Sequence, residues 1–146
     1  SIVSLIVAIQ LVSTLVMFGV ILFVQIVHYP LMAGVGEEGF SRYARAHADR
    51  TGLVVGPLML AEMGSSIWLA VQPPSPGLQG TAWVGLGLLI AIWGVTGLVS
   101  VPCHNRLAAG FDPLAHRRLV RTNWARTFLW AARVPVALAL TGIIAP

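Results

Sequence analysis

The sequence predicts an all-α fold: an integral membrane four-helix bundle, built as a single transmembrane domain that covers residues 1–146. Hydrophobic residues make up 57% of the chain and charged residues only 10%, whereas a soluble domain carries about 25% charged residues. Four apolar segments are each long enough to cross a bilayer, which takes about 20 residues. Arginines gather in two of the three connections between these segments.

Proline and N-cap signals set the expected ends of the helices. The predicted spans are residues 2–27, 51–71, 82–101 and 125–145. Tyr29 and Pro30 are expected to close the first span and Pro102 the third, because proline lacks the N–H that continues a helix. Asp112 followed by Pro113 is typical of an N-cap and first helical position. The fourth helix is therefore expected to begin well before its apolar segment.

The distribution of arginine predicts the topology. The connections at residues 31–50 and 102–122 hold most of the nine basic residues, all of which are arginine. Such an excess marks the cytoplasmic side of a membrane protein. The helical spacing of Phe40, Tyr43, Ala44 and His47 indicates that the second helix also begins there. Two cytoplasmic connections place both termini on the non-cytoplasmic side of a multi-pass protein in the plasma (inner) membrane.

The composition also excludes several classes of protein. The single cysteine, Cys103, allows neither an internal disulfide nor a cysteine-rich zinc or iron–sulfur site. The net charge is +4, and the arginines that carry it lie beside apolar spans. The expected partner is therefore the lipid bilayer with its phosphates, and not nucleic acid. No phosphate-binding, dinucleotide-binding or nucleic-acid-binding motif is present.

Four histidines are expected to share the cytoplasmic end, because each lies at an end of a different span. His28, His47 and His116 form the predicted cofactor-binding set, and His28, His47 and His104 are the candidate metal ligands. Neutral imidazoles ligate transition metals and also relay protons. The cofactor would be a metal, a haem or a quinone. In the alternative interpretation each histidine is a polar cap at the membrane interface.

Two charges are expected inside the apolar region. Glu62 lies twelve residues after Arg50, and Arg133 lies twelve residues after Arg121. Both therefore lie roughly 18 Å beyond the last cytoplasmic arginine of their helices, and this equal depth predicts an intramembrane ion pair. Intramembrane charges usually face the bundle interior or a cavity. The pair would either fasten two helices or place Glu62 in a polar cavity as a proton acceptor.

Two short segments carry a resemblance to a known family. The sequences PCHNRL (residues 102–107) and NWART (residues 123–127) resemble the C-terminal half of small four-helix membrane proteins of the anthrone-oxygenase-like group. The spacing departs from that pattern because Leu107 comes one residue early. The resemblance implies oxidation of a hydrophobic aromatic or quinone-like substrate. It carries catalytic roles over to four residues, namely His104, Asn105, Trp124 and Arg126.

These observations lead to one functional hypothesis and two alternatives. The first is a small oxidoreductase-like protein that binds a hydrophobic small molecule near the cytoplasmic end, with Asn105, Asn123 and Arg126 beside the histidines. There, histidine would move protons or ligate a cofactor, and arginine would hold an anionic or carbonyl oxygen. The second is a non-catalytic accessory or assembly subunit of a homo-oligomer or a larger membrane complex. The third, motivated by Glu62 and Arg133, is a carrier for a small solute.

Overall fold

The computed structural model describes every residue from Ser1 to Pro146 and contains helices without strands. Its four long helices are α1 (Ile2–Gly34), α2 (Phe40–Val71), α3 (Pro76–Ala108) and α4 (Pro113–Leu140). The all-α prediction with four helices is confirmed. Helices α1, α2 and α3 are long and apolar enough to cross a membrane. Helix α4 is not among them, since Arg126 and Arg133 interrupt its apolar half.

The predicted ends of the first and third helices are wrong. Pro30 and Pro102 do not end a helix but lie inside α1 and α3. A five-residue π-helical segment comes shortly before each proline, at Val24–His28 and at Thr96–Ser100. Proline has no N–H to donate, and its ring would clash with the preceding turn of a regular α-helix. The wider π turn leaves room for the ring, so the helix can continue past the proline. Both helices therefore run on into the arginine-rich region.

The starts of α2 and α4 agree with the sequence signals. Helix α2 follows Gly39, whose φ of 76° is a left-handed conformation that favours glycine. Helix α4 has Asp112 as its N-cap and Pro113 at its first position, and the Asp112 carboxylate accepts the N–H groups of Leu114 at 2.9 Å and Ala115 at 3.1 Å. Both helices begin in the arginine-rich connections, as predicted. The fourth helix ends earlier than expected, at Leu140.

The helices form a ring in chain order. Helix α1 packs against α2 and α4, and α3 packs against the same two helices. Helices α2 and α4 therefore face each other across the diagonal of the bundle. Because consecutive helices alternate in direction, the C-terminal ends of α1 and α3 lie beside the N-terminal ends of α2 and α4. This shared end, called the histidine end below, contains all four histidines.

Three groups of buried apolar residues fill the bundle from one end to the other. The group at the histidine end includes Tyr29, Phe40 and Cys103, and the middle group includes Met17, Met59 and Trp130. The third, at the opposite end, consists of Leu69, Ala82 and Leu140. Each group draws on at least three helices, so no helix packs independently of the others.

The cap of α4 predicts one component of acid stability. The N–H of Ala115 is the largest cause that holds the pKa of the Asp112 carboxyl below its ordinary value of 3.8. Because this pKa is depressed in the folded state, the cap stabilises the fold above pH 3.8 and its contribution is lost as the pH falls through the folded pKa. Asp112→Asn keeps a cap oxygen but carries no charge. The stability of this variant should therefore lack the pH-dependent contribution of the carboxylate.

Thermal unfolding in detergent between neutral and acidic pH measures the effect. The stability gap between the wild type and Asp112→Asn should narrow as the pH drops. Asp49→Asn removes an exposed acid on α2 that caps no helix, and it is the matched control. Identical pH profiles for Asp112→Asn and the wild type would contradict the role of the cap.

Candidate functional site

A network of polar side chains lies at the centre of the bundle. Glu62 on α2 and Arg133 on α4 form an ion pair with 3.1 Å between Oε2 and Nε, and both side chains are fully buried. Thr14 donates to Glu62 Oε2 at 2.9 Å, and Trp130 Nε1 donates to Glu62 Oε1 at 3.1 Å. Arg133 also donates to Thr14 Oγ1 at 3.3 Å and to the carbonyl oxygen of Gly85. The equal depth of Glu62 and Arg133 predicted this pair correctly.

The geometry of the central network favours the structural interpretation. Its members come from all four helices, and neither Glu62 nor Arg133 has a buried polar atom without a partner. Only glycine fits at position 85, since a Cβ there would lie 2.9 Å from Val136 Cγ1 and 3.5 Å from Arg133 Nη1. Glu62 does not line the cavity next to the network, which is described below. The network therefore fastens α2 to α4 across the diagonal.

A cavity of about 250 Å³ lies between this network and the histidine end. All four helices contribute to its lining, but α4 contributes only Arg126. Toward the middle of the bundle the walls are apolar and include Met17, Ile21 and Met59. Toward the histidine end they become polar. A mostly apolar pocket with a few convergent polar groups is the usual form of a small-molecule site.

Three of the four predicted histidines gather at the polar end of the cavity. The hydroxyl of Tyr29 lies 2.8 Å from Nε2 of His104. The ring of His47 lies 5.8 Å from that of His104 and stacks on that of His28 at 3.9 Å between centroids. His47 also contacts Thr51, with 3.2 Å between Nδ1 and Oγ1. The cavity is lined by Tyr29, His104 and His47. These three ionisable side chains thus form a connected series at its polar end.

The fourth histidine has a different environment. Nε2 of His116 lies 2.7 Å from the backbone oxygen of Tyr29, and its ring lies 5.5 Å from that of Phe111. It does not line the cavity. His116 thus holds the Tyr29 backbone in place, and the structure does not bring it together with the other three imidazoles.

The histidine cluster does not have the geometry of a metal centre. No group of three or more His, Cys, Asp or Glu side chains in the structure is arranged to hold a metal ion. The rings of His28 and His47 are stacked face to face, whereas metal ligands direct their lone pairs at one point in a defined geometry. The metal site expected at His28, His47 and His104 therefore stays a prediction without geometric support.

Arg126 is the one residue through which α4 lines the cavity. Its side chain is held by Asn123, whose Oδ1 accepts from Nη1 at 3.2 Å. Asn123 donates in turn to Gln25 Oε1 at 2.9 Å, and Gln25 donates to the Val120 carbonyl at 3.1 Å. These contacts link α4 to the π-helical segment of α1. They fix the guanidinium before any ligand arrives.

The charge of Arg126 has no counter-charge. The residue is only 7% exposed, and neither salt bridge of the chain includes it. Its Nε is buried without a hydrogen-bond partner, as is Oγ of Ser100, and both residues line the cavity. The ring of Trp130, with its centroid 5.3 Å from the guanidinium carbon, offers a weak cation–π contact. A buried cation without a partner is costly, so the cavity is complementary to an anionic or strongly dipolar oxygen.

The remaining predicted site residues differ in their positions. Asn105 lines the exposed edge of the cavity, and Asn123 acts behind it by holding Arg126. Trp124 is exposed and stacks on Phe128 at 5.5 Å, so the structure places it outside the cavity.

Sequence reasoning missed Tyr29, which it treated only as the end of a helix. The polar pair of His28 and Tyr29 before a proline, at the end of an otherwise apolar segment, was the available signal.

A comparison with known proteins finds no family model, curated protein or solved structure that matches the chain. The resemblance to the anthrone-oxygenase-like group therefore stays a prediction.

The central ion pair predicts a strong and non-additive effect on stability. Glu62→Leu leaves a buried guanidinium without its partner, and Arg133→Met leaves a buried carboxylate, so each should destabilise the fold by about 3–5 kcal/mol. The double variant should cost less than the sum of the two, because it buries no isolated charge. Unfolding in mixed micelles with increasing denaturing detergent provides the measurement.

Arg106→Ala is the control for this experiment, since it breaks the exposed ion pair with Asp112 and should change stability little. Strict additivity of Glu62→Leu and Arg133→Met would show that the two side chains are not coupled.

Proposed function

We propose that the chain is an integral membrane protein whose four helices all cross the bilayer. Helix α4 qualifies despite its composition, because the two arginines in its apolar half turn inward and are 7% and 1% exposed. The side chains that this half exposes are apolar, among them Trp124, Phe128 and Pro135. A helix with buried charges and an apolar outer face can meet lipid.

The positive-inside rule supports an orientation for this bundle. The seven arginines other than Arg126 and Arg133 all lie near the histidine end. An excess of arginine marks the cytoplasmic side, so the histidine end faces the cytoplasm and both termini lie on the other side of the plasma membrane.

The function that the cavity supports best is the binding of a small aromatic or quinone-like molecule through an oxygen atom, with proton transfer at that oxygen. The buried guanidinium of Arg126, which lines the cavity without a carboxylate partner, is the observation that carries this proposal. A ligand carbonyl or phenolate oxygen at the cavity wall would accept a hydrogen bond from this guanidinium. Ser100 lines the same wall and adds a polar group there. The apolar walls around Met17 and Met59 would enclose the ring.

The volume of the cavity sets the size of the ring. A dry, apolar cavity of about 150 Å³ takes up benzene. The present cavity measures about 250 Å³, so it suits a head group of one or two fused rings. A larger planar cofactor such as a haem would need more space than these walls leave.

Tyr29 and His104 are the residues that would handle the proton. Their side chains form a 2.8 Å hydrogen bond at the polar end of the cavity. A neutral imidazole can take a proton from a phenol and return it, which is general acid–base chemistry. His47 also lines a second cavity, which touches Tyr43 and Arg50 closer to the cytoplasmic end. Protons could thus pass between the ligand and the cytoplasmic surface without crossing the lipid.

The proposal predicts how a matched pair of probes binds. The protein in lipid nanodiscs should bind 1,4-naphthoquinone more tightly than naphthalene, which has the same rings without oxygen. A hydrogen bond to a charged group contributes about 1.5–3 kcal/mol, so the preference should be about tenfold or more. Arg126→Gln should abolish this preference while binding of naphthalene stays the same. Quenching of tryptophan fluorescence by each probe reports binding, since Trp130 lies beside Arg126.

Arg121→Gln, which changes an exposed arginine on the same helix, should leave both affinities unaltered. Thermal unfolding of each variant checks that the bundle is intact. If Arg126→Gln does not fold, Ser100→Ala tests the same polar pocket with a smaller change. Equal binding of the two probes by the wild type, or a quinone preference that survives Arg126→Gln, would refute the proposal.

A further inference from the structure

The cavity opens toward the outside of the bundle on one side only. Of its lining residues, Ala48 and Gly52 on α2 and Val101 and Asn105 on α3 are exposed. The lining residues of α1 and α4 are buried or half-buried, and the most exposed of them is Val20. The opening therefore lies between α2 and α3.

Small side chains keep this opening wide. Ala48 and Gly52 are four residues apart on α2 and so lie on the same face of the helix. A Cβ built on Gly52 would have no neighbour within 4 Å. At the π-helical segment of α3, Gly97 is likewise exposed with no neighbour within 4 Å of a Cβ. The gap thus comes from missing side-chain volume on both helices.

The outer surface beside the opening is strongly apolar. Leu53 and Leu98 are each 79% exposed, and Val54 is 54% exposed. Leu98 shares a helix face with Val101 and Asn105, because the three are spaced by three and four residues. Both α2 and α3 have the length and composition of membrane-crossing helices. The opening consequently begins beside the arginine-bearing ends of these helices and continues, past Gly52 and Val101, along an apolar outer surface.

We infer that the natural ligand of this site is a lipid-soluble ring compound with an alkyl chain, which enters from the bilayer between α2 and α3 and leaves its chain in that opening. The inference rests on the proposed function, because the ring and its oxygen occupy the cavity described above. The head group would contact Arg126, and the chain would pass Gly52 and lie against Leu98. The ligand matches the site in polarity. Its oxygen would meet the polar groups at one end of the cavity, its ring the apolar walls in the middle, and its chain the lipid outside.

A pair of probes that differ only in the chain tests this inference. In nanodiscs, with concentrations expressed per lipid, 2-decyl-1,4-naphthoquinone should bind about as tightly as 1,4-naphthoquinone, because its chain stays in apolar surroundings while the ring enters the cavity. Gly52→Leu places a side chain in the opening and should weaken the decyl probe about tenfold more than it weakens 1,4-naphthoquinone, since overpacking has a cost of that order.

Gly64→Leu is the matched control, because Gly64 is an exposed glycine on the same helix with open space around it and no part in the cavity. It should leave both affinities as in the wild type. A decyl probe with a photoreactive diazirine at the chain end should label α2 and α3 around Leu53 and Leu98, as mapped by mass spectrometry. Labelling confined to α1 or α4 would overturn the inference.

The outcomes separate this inference from the proposed function. If 1,4-naphthoquinone binds in an Arg126-dependent way but the wild type excludes the decyl probe, or Gly52→Leu leaves the affinity for the decyl probe unchanged, the head-group site stands and the lateral opening is refuted. If Gly52→Leu weakens both probes equally, the residue lies over the ring itself and the inference is also refuted. If 1,4-naphthoquinone shows no dependence on Arg126, the proposed function fails first.

Discussion

The ion pair between Glu62 and Arg133 connects two helices that face each other across the diagonal of the bundle. Two charges in the bundle centre are costly to desolvate, and their attraction offsets that cost only when the remaining polar atoms are also bonded. Thr14, Trp130 and the Gly85 carbonyl supply those bonds. Since each partner belongs to a defined turn of its helix, the network sets the depth of all four helices relative to one another. The shape of the cavity between the network and the histidine end depends on that alignment.

Helix α4 presents two buried arginines with opposite roles. Arg133 and Arg126 are seven residues apart, about two turns, and so lie on one face of the helix. Arg133 forms an ion pair with a carboxylate. Arg126 donates to an amide oxygen and contacts a tryptophan ring, and its Nε has no hydrogen-bond partner. The first arginine is complete within the protein. The second lacks a counter-charge within the protein, and in the proposed function an anionic or dipolar oxygen of the ligand supplies it.

Composition and periodicity predicted the parts of the fold that depend on local chemistry. Four apolar segments became four helices, and Asp112 with Pro113 began the last one. The depth of Glu62 and Arg133 along their helices was enough to pair them. These features depend on distance along the chain, which a sequence contains directly.

The arrangement of the site depends on rotation about each helix axis, which the sequence alone did not determine. Trp124 and Arg126 are two residues apart, yet one faces outward and the other lines the cavity. Three of the four histidine rings lie together, and His116 instead turns to the backbone of Tyr29. Pro30 and Pro102 were expected to end helices, but a π segment before each of them lets the helix continue.

Those two π segments have a consequence for the evolution of the chain. A π turn is equivalent to one residue inserted into an α-helix, and each residue of an α-helix turns the chain by about 100°. Deleting one residue from Val24–His28 or from Thr96–Ser100 would restore a regular helix and swing every later side chain by that angle. Tyr29 and His104, which follow the two segments, would then point away from each other. Length in these two stretches is thus as constrained as residue identity, and relatives of this protein that keep the site should show no gaps there.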